Sequence, residues 1–175
     1  MTPEGVEQAK RLRDVLASEP VDLGVASELR RTQETLELIL AGRDVPRIVV
    51  SELDEIHFGS FDGGPLEVYR AWAAAEPPNV PAPGGGESRA AAAARFARGL
   101  KQVLAQPATH VLVVGHALVL RYIIDAARGL VPAARIAPVE HAVAQHLTAA
   151  EALTAVELLE EWSHAPRFRD PSKEG

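Results

Sequence analysis

His116 follows a short apolar run and precedes a helical segment, a position at which α/β proteins often carry their chemistry. Residues 111–114 are too few for a helix and predict a buried parallel strand, and residues 117–128 predict the following helix. The ring is then expected at the ligand crevice, beside free N–H groups of the helix that begins at Ala117 and attracts anions. Because Gly115-His116 also fits an ordinary helix N-terminus, this segment alone only suggests a phosphorylated ligand.

Arg31 occupies a similar position at a second strand-to-helix junction. It lies in the first turn of a helix, just after a predicted strand at residues 21–26, so we expect its guanidinium at the same crevice. The two parallel N–H donors of an arginine match the oxygens of a phosphate. Arg30 precedes it, and because adjacent helical residues are about 100° apart, only one of the pair can face a given ligand. A solvated arginine pair is the competing interpretation.

The long loop at residues 51–64 supplies carboxylates, and loops of this length are often functional. A nearby phosphate raises the pKa of a carboxyl group, which can then donate a proton to a leaving alkoxide. Glu52, Asp54 and Glu55 all fit this role, and spacing does not separate them. A solvated acidic loop is the alternative.

The remaining pattern predicts the elements that position these residues. Thr2 and Pro3 indicate a helix start, and Ser27 and Ser88 are the expected N-caps of two later helices. The first helix is expected to run to about residue 18, a second strand to occupy residues 47–50 and a short helix residues 65–75. Residues 142–148 and 153–159 are interpreted as two strands that close the sheet as a hairpin, with its turn near Glu151.

Composition limits the classes of protein to consider. A chain of 175 residues with 47% hydrophobic residues fits one domain, residues 1–175, with one substantial core. Without a long apolar run or a basic leader, we expect a cytoplasmic protein that binds no membrane. The absence of cysteine excludes disulfides and a thiolate nucleophile, and the net charge of −6 argues against a nucleic-acid partner. The scattered histidines lack the spacing of a metal site, so neither metal nor cofactor is expected.

Five motifs in order carry a resemblance to a known family. They are Thr-Pro-Glu-Gly from residue 2, Ser-Glu-Leu-Arg-Arg-Thr from residue 27, Leu-Asp-Glu-Ile-His from residue 53, Gly-Glu-Ser from residue 86 and Val-Val-Gly-His from residue 113. The chain resembles the histidine phosphatase superfamily in its phosphoglycerate-mutase-like branch. The resemblance implies a three-layer α/β fold with a mainly parallel sheet flanked by helices.

The same resemblance assigns roles to the candidate residues. It implies that Arg31 binds the phosphoryl group and that Glu55 is the proton donor. His116, with the backbone at Ala117, would stabilise the transferring phosphoryl group. Only the resemblance, and not the spacing, selects Glu55 from the three carboxylates.

The sequence departs from the family at one point. Members begin with a central strand that ends in Arg-His-Gly, whose histidine becomes phosphorylated, and no Arg-His-Gly occurs in these 175 residues. Met1 stands where the family has a leucine, so we expect an N-terminally truncated domain without its first central strand. A misassigned start is the preferred explanation, and a naturally shortened protein is the alternative.

These observations predict a phosphomonoesterase that works through a phosphohistidine and is inactive in this truncated chain, with a small phosphorylated metabolite as its ligand. Phosphoglycerate mutase and a non-catalytic phosphate-binding or assembly protein are the alternatives. An unpaired sheet edge predicts a homodimer. Five features are expected to line or cover the site, namely His57, Phe58, Tyr69, Trp72 and the loop at residues 77–86.

Overall fold

Helices and strands alternate along most of the chain in the computed structural model, which describes residues 1–136 and 142–169. The strands are β1 (Leu23–Ala26), β2 (Arg47–Val49) and β3 (Val111–Val114). The helices are α1 (Pro3–Val15), α2 (Arg30–Ile39), α3 (Leu66–Ala75), α4 (Arg89–Leu104), α5 (Ala117–Ala127) and α6 (Ala149–His164). Two 3₁₀ turns, Ser51–Leu53 and Gly59–Phe61, interrupt the loop between β2 and α3.

The three strands form one parallel sheet in the order β2-β1-β3. Val25 of β1 lies opposite Ile48 on one side and opposite Val113 on the other. Because the strands run in the same direction, their carboxyl ends meet at one edge of the sheet. The segments that follow Ala26 and Val114, which carry Arg31 and His116, therefore leave the sheet side by side.

Helices cover both faces of this sheet. Successive strand residues point to opposite faces, so Leu23 and Val25 join a hydrophobic cluster with α4, α5 and α6. Ala26 lies in a second cluster with Leu36 of α2, and α1 packs against α2 on that face through Ala9. The predicted α/β architecture, a parallel sheet flanked by helices, is confirmed.

The prediction of a closing hairpin is wrong. Residues 153–159 lie inside helix α6, and residues 142–148 form no strand. Thr148 caps α6 in a reciprocal arrangement, in which its hydroxyl accepts from the Glu151 backbone N–H while the Glu151 carboxylate accepts from the Thr148 backbone N–H. Ala155, Val156 and Leu159 of this segment are buried on the side of α6 that packs against α4 and α5.

Predicted caps and helix ends hold with two exceptions. The hydroxyls of Thr2 and Ser88 cap α1 and α4 as expected. Ser27 is not the N-cap of α2, because that helix begins after Leu29 and no side-chain hydrogen bond caps it. Helix α1 ends at Val15, short of residue 18.

Gly59 fixes the path of the loop that follows the candidate carboxylates. Its φ is +60°, a conformation that favours glycine, and an added Cβ would collide with the Pro83 carbonyl oxygen. The Ser60 N–H donates to that carbonyl at 2.7 Å, and the Glu87 N–H donates to the His57 carbonyl at 2.8 Å. The two loops are thereby joined along their backbones. Within the described ranges, no helix has the length and apolar character needed to cross a membrane.

Candidate active site

Arg31 and His116 lie in direct contact at the carboxyl edge of the sheet. Nη2 of Arg31 is 3.0 Å from Nδ1 of His116. Arg31 projects from the first turn of α2, and His116 is the N-cap residue of α5. Arg30 instead forms a surface ion pair with Glu34, so of the two neighbouring arginines it is Arg31 that points into the crevice.

The second ring nitrogen of His116 is held by Ser27. Nε2 lies 2.7 Å from Oγ of Ser27, and that hydroxyl lies 2.8 Å from Oγ1 of Thr32. Thr32 in turn donates to the carbonyl oxygen of Leu29 at 2.7 Å. The hydroxyl proposed from sequence as a helix cap therefore orients the imidazole instead.

Because a guanidinium can only donate, Nδ1 of His116 accepts and the proton of the neutral ring lies on Nε2. Burial and the charge of Arg31 together lower the pKa of His116 from 6.5 to about 4, while the carboxylate of Asp54 acts in the opposite direction. The ring is therefore neutral at physiological pH in the absence of a ligand.

Glu55 lies beside the N-terminus of α5. Burial raises its pKa, against the opposing effects of the backbone N–H groups of Ile56 and Leu118 and of the charges of Arg31 and Arg89. The Ile56 N–H donates to Oε1 of Glu55 at 3.1 Å. A carboxyl group with a raised pKa next to a helix N-terminus is suited to donate a proton.

The two competing carboxylates have different surroundings. Asp54 accepts a hydrogen bond from the Glu28 N–H at 2.7 Å, which ties the acidic loop to the entrance of α2. Glu52 has a pKa below its usual range because of its own backbone N–H and the side chain of Gln102, and is therefore unsuited as an acid. The pKa values of Glu52 and Glu55 are thus shifted in opposite directions, and the shift of Glu55 suits a proton donor.

Arg95 of α4 holds the loop that carries Glu55. Its Nε and Nη2 bind the carboxylate of Glu87 at 3.0 and 2.7 Å. Nη1 donates to the carbonyl oxygens of Glu52 and Asp54 at 3.0 and 2.8 Å, and Nη2 also donates to that of Glu55 at 3.3 Å. Five hydrogen bonds thus engage every donor of one guanidinium. Sequence reasoning missed this residue, and nothing in its local pattern separates it from a surface arginine of a helix.

A cavity of about 280 Å³ adjoins Glu55 and the start of α5. Phe58 and Tyr69 line it as predicted, together with Arg89, which the sequence reasoning also missed. His57, Trp72 and residues 77–86 do not line it. The ring of Trp72 instead packs against that of Tyr69, with 5.9 Å between the ring centres and an angle of 37° between the ring planes.

The ranges 1–136 and 142–169 hold no group of three or more histidines and carboxylates that could bind a metal ion. His141 lies outside the described residues. Arg31, His116 and Glu55 are suited by their chemistry to bind an anion and to donate a proton.

Comparisons with known proteins show what the chain is similar to. The model of the histidine phosphatase superfamily (branch 1) matches residues 1–163. The adenosylcobalamin/alpha-ribazole phosphatase of Salmonella typhimurium is 42% identical over 62 residues, which are 35% of this chain and 31% of that protein. The corresponding phosphatase of Escherichia coli K12 is 39% identical over 62 residues, 35% of this chain and 30% of that protein. The chain thus spans less than a third of the length of these curated relatives.

Solved structures show the same fold over a larger share of the chain. The alpha-ribazole phosphatase from Shigella flexneri has a TM-score of 0.65 and 31% identity, covering 75% of this chain and 68% of that one. The mycobacterial glucosyl-3-phosphoglycerate phosphatase has a TM-score of 0.60 and 26% identity, covering 74% and 69%.

Proposed function

The chain belongs to the histidine phosphatase superfamily (branch 1), and on that premise we propose that its crevice binds the phosphoryl group of a small phosphorylated metabolite for phosphomonoester hydrolysis. The observation that carries the proposal is the contact of Arg31 with His116 at the N-terminus of α5, with Glu55 beside the same helix end. The relatives whose names state an activity are phosphatases, which favours hydrolysis over a mutase reaction.

The phosphate would be held by charge and by backbone groups. Arg31 offers parallel N–H donors, and the backbone N–H of Ala117 lies at the positive end of the α5 dipole. His116, fixed by Ser27, would bind an equatorial oxygen of the transferring group. In this arrangement the site stabilises the charge that a phosphoryl group spreads over its oxygens.

Glu55 would supply the proton for the leaving group. It touches the α5 end of the phosphate site and also lines the 280 Å³ cavity, so it lies between the phosphoryl group and the alcohol part of the ester. When the P–O bond to the alcohol breaks, its electron pair stays on the alcohol oxygen, and the protonated carboxyl of Glu55 donates its proton to that oxygen. The raised pKa of Glu55 favours the protonated form that this step requires.

The nucleophile would be a histidine outside these 175 residues. The family uses the histidine of an Arg-His-Gly motif, which this sequence does not contain. A ring placed to bind an equatorial oxygen of the phosphoryl group is wrongly oriented for in-line attack on phosphorus, so His116 does not replace this nucleophile. We therefore propose that these 175 residues on their own bind phosphate and hydrolyse phosphomonoesters negligibly.

Release of inorganic phosphate from an aryl phosphate tests this proposal. The 175-residue chain should bind phosphate or vanadate without turnover, and a version extended at its N-terminus by a strand ending in Arg-His-Gly should hydrolyse the ester. In the extended protein, Arg31→Ala or His116→Ala should lower kcat/KM by about three orders of magnitude, whereas Arg30→Ala should change it little. Turnover by the 175-residue chain that disappears in His116→Ala would overturn the assignment of the nucleophile.

We further propose that the protein self-associates through its sheet. Strand β3 is one of the two outer strands of the described sheet, and all four of its residues are partly exposed. An unpaired strand edge favours pairing with another chain. A second copy of the same chain is the proposed occupant.

A further inference from the structure

The cavity beside Glu55 has a wall that phosphate binding does not use. Glu55 and Ala117 belong both to the candidate phosphate site and to the cavity, whereas Arg31 and His116 do not line the cavity. The cavity therefore begins where the phosphate site ends, at the position that the alcohol part of an ester would occupy. Arg89 and Tyr69 form part of its wall.

Arg89 is a buried cation at this wall. It is 5% exposed, and its guanidinium carbon lies 5.5 and 5.8 Å from the ring centres of Tyr69 and Tyr122. Its Nη1 donates to the Tyr122 hydroxyl at 3.0 Å. In the part of the chain that the structure describes, Arg89 forms no salt bridge, although Glu55 is near enough for the charge of Arg89 to act on its pKa. Because a buried charge without a counter-ion is costly, an anion is expected to bind here.

Two polar atoms at the same wall lack hydrogen bonds. Nε of Arg89 and the hydroxyl of Tyr69 are both buried, and among residues 1–136 and 142–169 neither forms a hydrogen bond of normal geometry, although the two side chains lie close enough to interact with each other. Buried donors are rarely left unpaired in proteins. Arg89 and Tyr69 adjoin each other, so a ligand group with two oxygens could accept from both atoms. These atoms are shielded from bulk water. A charged hydrogen bond is stronger in such a buried place than at the surface.

The charged side chains in the rest of the cavity lining are mainly positive, like that of Arg89. Arg70 and Arg135 also line it, and its carboxylates are Glu55 and Glu67. Glu67 is paired with Arg70, and the remaining Arg89 and Arg135 outnumber Glu55. The lining is therefore positive in a protein whose net charge is −6, which favours an anionic ligand group.

We propose that Arg89 and Tyr69 form a subsite for an oxyanion, either a carboxylate or a second phosphate, on the alcohol part of the phosphomonoester. The inference rests on the proposed function only for the position of the phosphoryl group. It identifies the substrate class as phosphomonoesters with a second negative charge. Arg89 would then determine specificity without taking part in the bond-breaking step.

Matched ligands test the subsite on the 175-residue chain by isothermal titration calorimetry. Phosphoglycolate is compared with ethyl phosphate, and 4-carboxyphenyl phosphate with 4-methylphenyl phosphate, so that each pair differs only in the second anion. Benzene-1,4-diyl bisphosphate tests a second phosphate in place of the carboxylate. At least one doubly charged ester should bind about ten-fold more tightly than its singly charged partner.

Variants assign that preference to the two side chains. Arg89→Met should remove the preference and leave the affinity for inorganic phosphate within about two-fold, and Tyr69→Phe, which deletes one oxygen, should reduce it by about three-fold. Arg98→Met, an exposed position on the same helix, is the control and should change neither affinity. If the wild type shows no preference in any series, or if both Arg89→Met and Tyr69→Phe retain it, the subsite does not exist.

A second measurement separates this inference from the proposed function. The NMR signal of the Arg89 Nε–H is followed while benzoate, which has no phosphate, is added to the wild-type chain. A benzoate-dependent shift with no binding of inorganic phosphate would retain the subsite and reject the proposed phosphate site. Binding of inorganic phosphate, with neither a benzoate shift nor a preference for doubly charged esters, would reject the subsite alone.

Discussion

Arg31 and His116 are 85 positions apart in the sequence, and a hydrogen bond of 3.0 Å joins their side chains. The same N–H of Arg31 that now binds the imidazole is the donor best placed to meet an incoming phosphate. An anion and the ring therefore compete for one guanidinium. Occupancy of the site and the basicity of His116 are linked through this competition.

The first prediction concerns the pKa of His116. Arg31→Met removes a positive charge next to the ring and should raise that pKa above about 4, and saturating phosphate should raise it in the wild type as well. NMR titration of the ring carbons measures both effects. Arg30→Met, which alters a surface arginine paired with Glu34, should leave the pKa of His116 unchanged. An unchanged value in Arg31→Met would show that Arg31 does not control the ring.

The second prediction follows from the lowered pKa of His116. The unfolded chain binds a proton at this histidine below pH 6.5, whereas the folded protein does so only below about 4. The free energy of unfolding should therefore fall as pH decreases from 6.5 to 4, by on the order of 2 kcal/mol from this group. His116→Gln should lack that part of the decrease. Urea denaturation at several pH values measures it, and parallel curves for the two proteins would contradict it.

The third prediction concerns Arg95. Arg95→Met leaves the carboxylate of Glu87 and three backbone carbonyls without their donor, so it should lower the free energy of unfolding by about 3 kcal/mol. Arg95→Lys should recover only part of this loss, because an ammonium group has three N–H donors and cannot form the five hydrogen bonds of the planar guanidinium. Chemical denaturation measures the change, with Arg98→Met as the exposed control on α4. A loss below about 1 kcal/mol would mean that the five bonds contribute little.

The fourth prediction separates two costs of a side chain at Gly59. Gly59→Ala adds both a positive-φ strain and a collision with the Pro83 carbonyl, whereas Gly63→Ala, at a φ of +75°, meets no atom within 4 Å. Gly63→Ala should therefore cost about 1 kcal/mol of unfolding free energy and Gly59→Ala at least twice that. Equal costs would indicate that the loop at Pro83 moves away freely.

The fifth prediction concerns association through β3. Sedimentation velocity at micromolar concentration should show a dimer whose fraction rises with protein concentration. The N-terminally extended version described above, which supplies a further strand, should dissociate toward monomer because that strand competes for the same edge. A 175-residue chain that stays monomeric would reject the proposed pairing.

The two βα units were predictable because their signals are local. Short apolar runs end at Ser27 and Gly115, and helical patterns follow at once, so β1, β3 and the positions of Arg31 and His116 could be inferred from neighbours in sequence. The capping box of α6 was local as well, since Thr148 and Glu151 have the spacing typical of a helix start. The prediction of a hairpin rested on the apolar run at residues 153–159, and a short apolar run fits a strand as well as a buried part of a helix.

The parts that could not be predicted depend on contacts between distant segments. Ser27 has the local pattern of a helix cap, but its hydroxyl forms a hydrogen bond with His116, 89 positions away. Arg95 has the local pattern of a surface arginine, but its guanidinium binds the backbone of the acidic loop at residues 51–64. Arg89 lies in an alanine-rich helix, and its burial depends on Tyr69 from α3 and Tyr122 from α5.

The aromatic contacts around Arg89 give the protein a built-in optical reporter. The chain has two tryptophans. Trp72 lies 5.9 Å from the ring of Tyr69, and Trp162 lies 6.0 Å from that of Tyr122, the two tyrosines that flank Arg89. Each indole is thus one ring away from the buried cation, Trp72 through Tyr69 and Trp162 through Tyr122. Intrinsic fluorescence can therefore report ligand binding at the cavity wall without an attached dye. Replacing one tryptophan at a time would show whether the signal comes from Trp72, next to Tyr69, or from Trp162, next to Tyr122.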